Sequence, residues 1–252
     1  MIKSNVFQPT AVRQVADYGD TFSVIDYGRD LSVTPSTAVS AYFMSKMGVH
    51  KRQVIARLNN TGVIIQAGAM QMMVGNISAQ TDIKGAGDLF RKMVGSRVTG
   101  ETAIKPKYTG VGRVILEPTY KYIIVEDLAK WNGSMVIEDG LFLACDDTVS
   151  MKVVARTNLS SALAGGEGLF NTALYGRGSV VLESPVPREE LFVFDIENDT
   201  LKIDGNMAIA WSDSLQFTVE RTTKTLIGSA ASGEGLVNVY RGTGRIFVAP
   251  VA

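Results

Sequence analysis

The apolar residues of this chain fall in short runs, and three of these runs share one layout. Val114-Ile115-Leu116, Val180-Val181-Leu182 and Ile246-Phe247-Val248 follow the pairs Gly110-Val111-Gly112, Gly176-Arg177-Gly178 and Gly242-Thr243-Gly244. Consecutive β-branched and aliphatic residues favour extended chain. Glycine supplies the positive φ that a turn or bulge needs. Side chains alternate across a strand, so positions 114, 116, 180, 182, 246 and 248 make one face and 115, 181 and 247 the other. Both faces are apolar, which predicts strands covered on both sides. The second cover is another repeat or another subunit.

Tyr122-Ile123-Ile124-Val125-Glu126 and Leu191-Phe192-Val193-Phe194-Asp195 read as further strands. Turns are expected at Asp139-Gly140, Asn198-Asp199 and Asp204-Gly205-Asn206. One short helix is expected near 86–95, where Leu89, Phe90 and Met93 share a side of Asp88–Val94 between Gly87 and Gly95.

The layout is periodic. Gly112, Gly178 and Gly244 are each 66 positions apart. Gly100-Glu101 recurs at the same interval as Gly166-Glu167, and then, one residue late, as Gly233-Glu234. Leu141–Asp147 answers Met207–Asp213, again at 66. Gly62–Met70 reads as part of an earlier, diverged copy. A fixed period of this length marks tandem supersecondary units. The expected fold is therefore all-β and built of tandem repeats. The first lies in 1–98 with the short helix, the second in 99–164, and the third with the closing strands in 165–252, all in one compact unit.

Composition narrows the function. Lys+Arg and Asp+Glu are both 25, a formal charge of zero. A nucleic-acid binder needs a basic excess to neutralise phosphates, so no nucleic-acid partner is expected. The one cysteine, Cys145, excludes an internal disulfide and reads as a small buried apolar side chain in a reducing compartment. The one histidine sits in His50-Lys51-Arg52 and is expected in a solvated or partner-facing position. No apolar run approaches the roughly 20 residues that span a bilayer, and no secretory h-region follows Met1. These features predict a cytoplasmic protein without a transmembrane segment.

The helix around Asp88–Val94, the Gly166-Glu167-Gly168-Leu169-Phe170 signature and the recurring Gly-x-Gly strands together resemble a known family. It is the mitochondrial-biogenesis family named for altered inheritance of mitochondria, in its bacterial members. Its repeats are similar to the subunit of the tryptophan RNA-binding attenuation protein. The resemblance covers residues 60–252 well. It implies three tandem β-sandwich repeats per chain, each flattened and akin to a short double-stranded β-helix, and a homotrimer of nine repeats in a pseudo-ring. It implies no accepted enzymatic activity and no catalytic residues. Mitochondrial members are tied to inner-membrane and respiratory-complex organisation. The RNA-binding relative uses Lys and Arg on its ring edge, and no such set recurs here at the period.

Candidate chemistry is sparse. Gly-x-Gly cradles a phosphate only when a helix N-terminus follows, and here a strand follows. Asp146, Asp147 and Asp213 read as turn or cap residues. Tyr175, Tyr240, Arg177 and Arg245 flank the glycines and are expected on a solvated strand edge. Glu101, Glu167, Glu234, Arg177 and Arg245 form the candidate rim for a partner or ligand. No catalytic, metal or cofactor site is expected. The expected function is a non-enzymatic structural or assembly protein acting as an oligomeric β ring, with an unidentified protein as a further partner. The alternatives are a small-molecule-binding ring and, against the neutral charge, an RNA-binding protein.

Overall fold

The computed structural model describes residues 2–81, 105–155, 170–221 and 236–251. These residues form strands β1 (Gln14–Tyr18), β2 (Phe22–Asp26), β3 (Arg52–Ile65), β4 (Met70–Gln80) and β5 (Lys107–Leu116). There follow β6 (Tyr122–Asp127), β7 (Ser134–Ile137), β8 (Phe142–Asp146), β9 (Val149–Ala155) and β10 (Phe170–Gly176). The last are β11 (Ser179–Ser184), β12 (Phe192–Asp204), β13 (Ala208–Trp211), β14 (Gln216–Arg221) and β15 (Leu236–Val248). One helix, α1 (Ala38–Lys46), lies between β2 and β3. The described residues are mostly β with one short helix. The helix expected near 86–95 lies outside the described residues, as do the unit boundaries at 98/99 and 164/165. The observed helix stands where no element was assigned, because Val39, Tyr42 and Phe43 all face solvent and make no apolar stripe toward the core.

The strands make two curled, half-barrel antiparallel sheets. The first runs β1-β2-β3-β8-β11-β6, with β5 beside β3 and β4 beside β5. The second runs β12-β15-β13-β7-β10-β9, with β14 beside β15. β10 and β11 are joined only by Arg177 and Gly178, yet they belong to different sheets. The same is true of β6 and β7, and of β8 and β9. Gly176-Arg177-Gly178 is thus a corner at which the chain passes from one sheet to the other.

All nine residues of the three apolar runs are at most 6% exposed, as two covered faces require. Their faces enter different apolar clusters. Ile115 packs with Ile25 and Ile55 under Phe7 and Tyr27. Val114 and Leu116 share the next cluster with Val181. Val180 and Leu182 share another with Phe247. Ile246 and Val248 enter the last, with Trp211 and Tyr240. Each run therefore separates two clusters and belongs to both. Phe247 meets Trp131 edge-on at 4.6 Å, and the Arg188 guanidinium covers the ring at 4.2 Å.

The glycine corners have partners that the sequence reading missed. Three non-glycine residues among those described have positive φ, and all are asparagines: Asn60 (55°), Asn132 (54°) and Asn198 (49°). Each lies across from a Gly-x-Gly pair. Asn60 is the extra residue where β3 shifts register opposite Val111 and Gly110. Asn198 sits in the equivalent shift of β12 opposite Gly242 and Gly244. Asn132 ends a 3-10 turn whose first amide, of Leu128, donates to Gly178 O. Asparagine tolerates the left-handed region better than other side chains do. Asn198-Asp199 is accordingly a bulge inside a continuous β12, and the turn expected there is corrected. On the glycine side, Gly110, Gly176 and Gly242 have φ of 139°, 119° and 119°. A Cβ at Gly110 would collide with the Asn76 carbonyl on β4.

Asn198 is exposed, so it isolates the backbone effect. Asn198→Gly is expected to leave the urea midpoint nearly unchanged, whereas Asn198→Val destabilises by about 1–2 kcal/mol. Gly110→Ala is expected to cost at least about 2 kcal/mol. Equal midpoints for all three variants would show that the corners carry no conformational constraint.

Candidate functional site

Two of the three corners are closed by side chains at or just beyond the ends of neighbouring strands. Asp146 Oδ2 accepts from the Ser179 amide at 2.7 Å, and Ser212 Oγ accepts from the Arg245 amide at 3.0 Å. Thr148 Oγ1 donates to Arg177 O at 2.6 Å, and Ser214 Oγ donates to Thr243 O at 2.8 Å. Within each of these two pairs of bonds, donors and acceptors alike are 66 positions apart. The corner groups thus bond within the fold, with no cradle left for a phosphate.

The predicted rim residues separate. Arg177 is exposed at its corner. Arg245 lies flat against Asp195 of β12, with Nε–Oδ1 at 2.7 Å and Nη2–Oδ2 at 3.0 Å. Hydrogen bonding to that guanidinium holds the Asp195 carboxyl below its usual range, and the arginine is raised in turn. Glu101, Glu167 and Glu234 lie outside the described residues.

The tyrosines divide as well. Tyr175 donates to Asp213 Oδ2 at 3.1 Å. Tyr240 is 1% exposed among Trp211 and Phe217, at 5.4 and 5.2 Å between ring centroids. The strand-edge position expected for Tyr240 is thereby corrected: on β15 it faces the aromatic cluster. Asp147 forms an ion pair with Lys107 at 2.9 Å. Asp146, not Asp147, is the capping residue.

His50 is also less solvated than expected. Its side chain is 14% exposed, and Nδ1 lies 2.8 Å from Asp26 Oδ1, an ion pair whenever the ring is protonated. Cys145 is fully buried, and burial first, then the neighbouring Asp146, pushes its thiol far up. Thiolate chemistry is closed to it. Among the described residues no three His, Cys, Asp or Glu side chains gather as metal ligands, and no helix is long and apolar enough to cross a membrane.

Two kinds of surface stand out among the described residues. The first is strand edge. Among the described residues β12 pairs only with β15 and β4 only with β5. Phe192, Val193 and Phe194 stand on the β12 edge, and Met72 and Met73 on β4, all at least 40% exposed. The second is a cleft of about 520 Å³ between the N-terminal segment and the β3–β4 end of the first sheet. Its wall is a polar chain. Tyr27 Oη donates to Gln53 Oε1 at 2.6 Å. Gln53 Nε2 donates to Gln71 Oε1 and to Leu116 O, both at 2.7 Å. Gln71 Nε2 donates to Glu117 at 3.3 Å. Sequence reading could not find this chain, because Tyr27 and Gln71 carry no motif and meet only through Gln53.

The fold and these surfaces define a class: an antiparallel β protein of two curled sheets, self-bonded at its corners and open at its edges and at one cleft. A family model described as "Mitochondrial biogenesis AIM24" matches residues 47–251, and the chain belongs to that family. It is similar to an uncharacterised protein of Streptococcus pyogenes serotype M6, 29% identical over 194 residues, which are 74% of this chain and 75% of that protein. Its fold matches a crystal structure of another Streptococcus pyogenes protein solved by structural genomics. That likeness has a TM-score of 0.59 and 22% identity, and it covers 95% of this chain and 93% of the other.

The Asp195–Arg245 pair gives a pH signature. Because the folded carboxyl is the stronger acid, the pair's contribution is complete above the ordinary carboxylate range. It disappears as pH falls through the folded value. Asp195 is 62% exposed, so Asp195→Asn is expected to cost under about 1 kcal/mol at neutral pH. Urea midpoints of the two proteins should converge as pH falls below the usual carboxylate range; a gap independent of pH would refute the assignment. Thiol labelling of Cys145 is expected only on unfolding, at a rate that urea accelerates. Immediate labelling of the native protein would contradict its burial.

Proposed function

We propose that this is a non-enzymatic structural or assembly protein that acts in the cytoplasm as a homo-oligomeric β ring of three chains. The observation that supports this most is the pair of long open edges. β12 has 13 residues and β4 has 11. An open edge presents a row of unpaired N–H and C=O groups, and an exposed apolar edge invites uncontrolled pairing unless something covers it. The β4 edge carries no charge from Met70 to Gln80, and Phe192–Phe194 gives β12 an apolar end. Two different edges on one chain suit head-to-tail contacts, which close into a ring when the rotation permits.

The hydrogen bonds that recur at 66 positions favour reading the chain as tandem sandwich units, the first of them diverged. Such units would continue from one chain to the next around the ring. The inert cysteine and the self-bonded corners favour a role in holding partners over one in chemistry. An unidentified protein bound on the ring remains part of this reading.

Light scattering after size exclusion tests it. The expected mass is three times the 27.1 kDa of the chain. The double variant Phe192→Lys/Phe194→Lys is expected to run as a folded monomer, since both side chains are exposed. A wild-type protein that stays monomeric at micromolar concentration would end the ring reading.

A further inference from the structure

We propose that the N-terminal cleft binds a small amphipathic anion: a carboxylate, sulfonate or phosphate head on a short apolar body. This goes beyond the assembly reading and does not depend on it.

The cleft is charged out of proportion to the chain. Its lining holds Arg13, Arg29 and Lys51 against Asp30, with Glu117 at the far end of the polar wall, so cations outnumber carboxylates there in a protein whose formal charge is zero. The three cations are held differently. Lys51 pairs with Asp30 at 2.8 Å, which occupies one of its three N–H donors. Arg13 donates only to the carbonyls of Asn5 and Gln8, at 2.7 to 3.1 Å. Those neutral acceptors fix the guanidinium without cancelling its charge. Arg29 is exposed and makes no hydrogen bond or ion pair to the described residues. An anion entering here meets a pre-positioned cation, Arg13, and a free one, Arg29, whose guanidinium can grip two of its oxygens.

The apolar half of the site lies beside the cations. Leu31 is 62% and Met72 41% exposed at the cleft, with Val12 also in the lining. Exposed aliphatic side chains flanking uncompensated cations suit a ligand with both kinds of surface. A small inorganic ion would leave them wet. The wall behind is not free to rearrange, because Gln53 is 5% exposed and both amino hydrogens of its amide are committed. A concavity of several hundred Å³ in which fixed polar groups converge beside apolar ones has the form of a small-ligand site, here one weighted toward the polar side.

The test is a fluorescence titration of the full chain with 8-anilinonaphthalene-1-sulfonate, a sulfonate with an aromatic body. Saturation at one probe per chain is expected. Arg29→Glu should weaken binding by about tenfold or more; Arg29 is exposed and has no partner to lose among the described residues. Octanoate or octyl phosphate should displace the probe, and octanol, with the same apolar body and no charge, should not. Phe43→Ser on the exposed face of α1 should leave the titration unchanged. Absence of saturable binding would overturn the proposal. So would indifference to Arg29→Glu, displacement by octanol as readily as by octanoate, or loss of binding in Phe43→Ser.

Discussion

The structure depends on three short runs that are buried on both faces. An antiparallel strand in a simple two-layer protein has one wet face. Val114-Ile115-Leu116, Val180-Val181-Leu182 and Ile246-Phe247-Val248 have none. Each must find apolar cover twice, and the chain provides it by passing one cluster to the next. Val181 completes the cluster around Val114 and Leu116, and Phe247 completes the one around Val180 and Leu182. The three runs cannot separate without uncovering one another. This explains why β3 pairs with β8 and β7 with β13 across the expected unit boundaries.

A doubly buried strand leaves little room for its neighbours to turn, and the corners meet that demand. The chain has to bend where it leaves the buried run, so glycine stands on one strand and asparagine in the left-handed region on the other. The bend exposes backbone groups, and Asp146, Thr148, Ser212 and Ser214 bond them. These four side chains are therefore used up inside the fold. That is the physical reason they make poor candidates for binding or catalysis, and why the functional reading moves to the open edges and the cleft.

The edges and the cleft are different kinds of surface. The β12 edge is apolar at one end and offers backbone hydrogen bonds, which fits another strand. The cleft is concave, basic and partly apolar, which fits a small anion. They adjoin at Gln71 and Met72 of β4, which line the cleft, so a strand paired on the β4 edge would border the bound anion.

Much of this was legible in the sequence. Alternation with period two showed the three runs to be apolar on both faces, and Gly-x-Gly marked the bends. Cys145 read as a small buried apolar side chain, and it is buried. What stayed hidden was whatever depended on cross-strand register. Asn198-Asp199 resembles a turn locally and becomes a bulge only because β15 pairs on both sides of it. Tyr240 resembles an edge residue until Trp211 and Phe217 arrive from other strands. Gln53 is an ordinary strand residue until Tyr27 and Gln71 reach it from 26 and 18 positions away. The sequence by itself determined which segments extend, where they bend and which faces must be covered, because those properties are set by each residue and its near neighbours. Only the tertiary structure decided which side chains meet, because a one-residue change of register carries a side chain to the opposite face of its sheet.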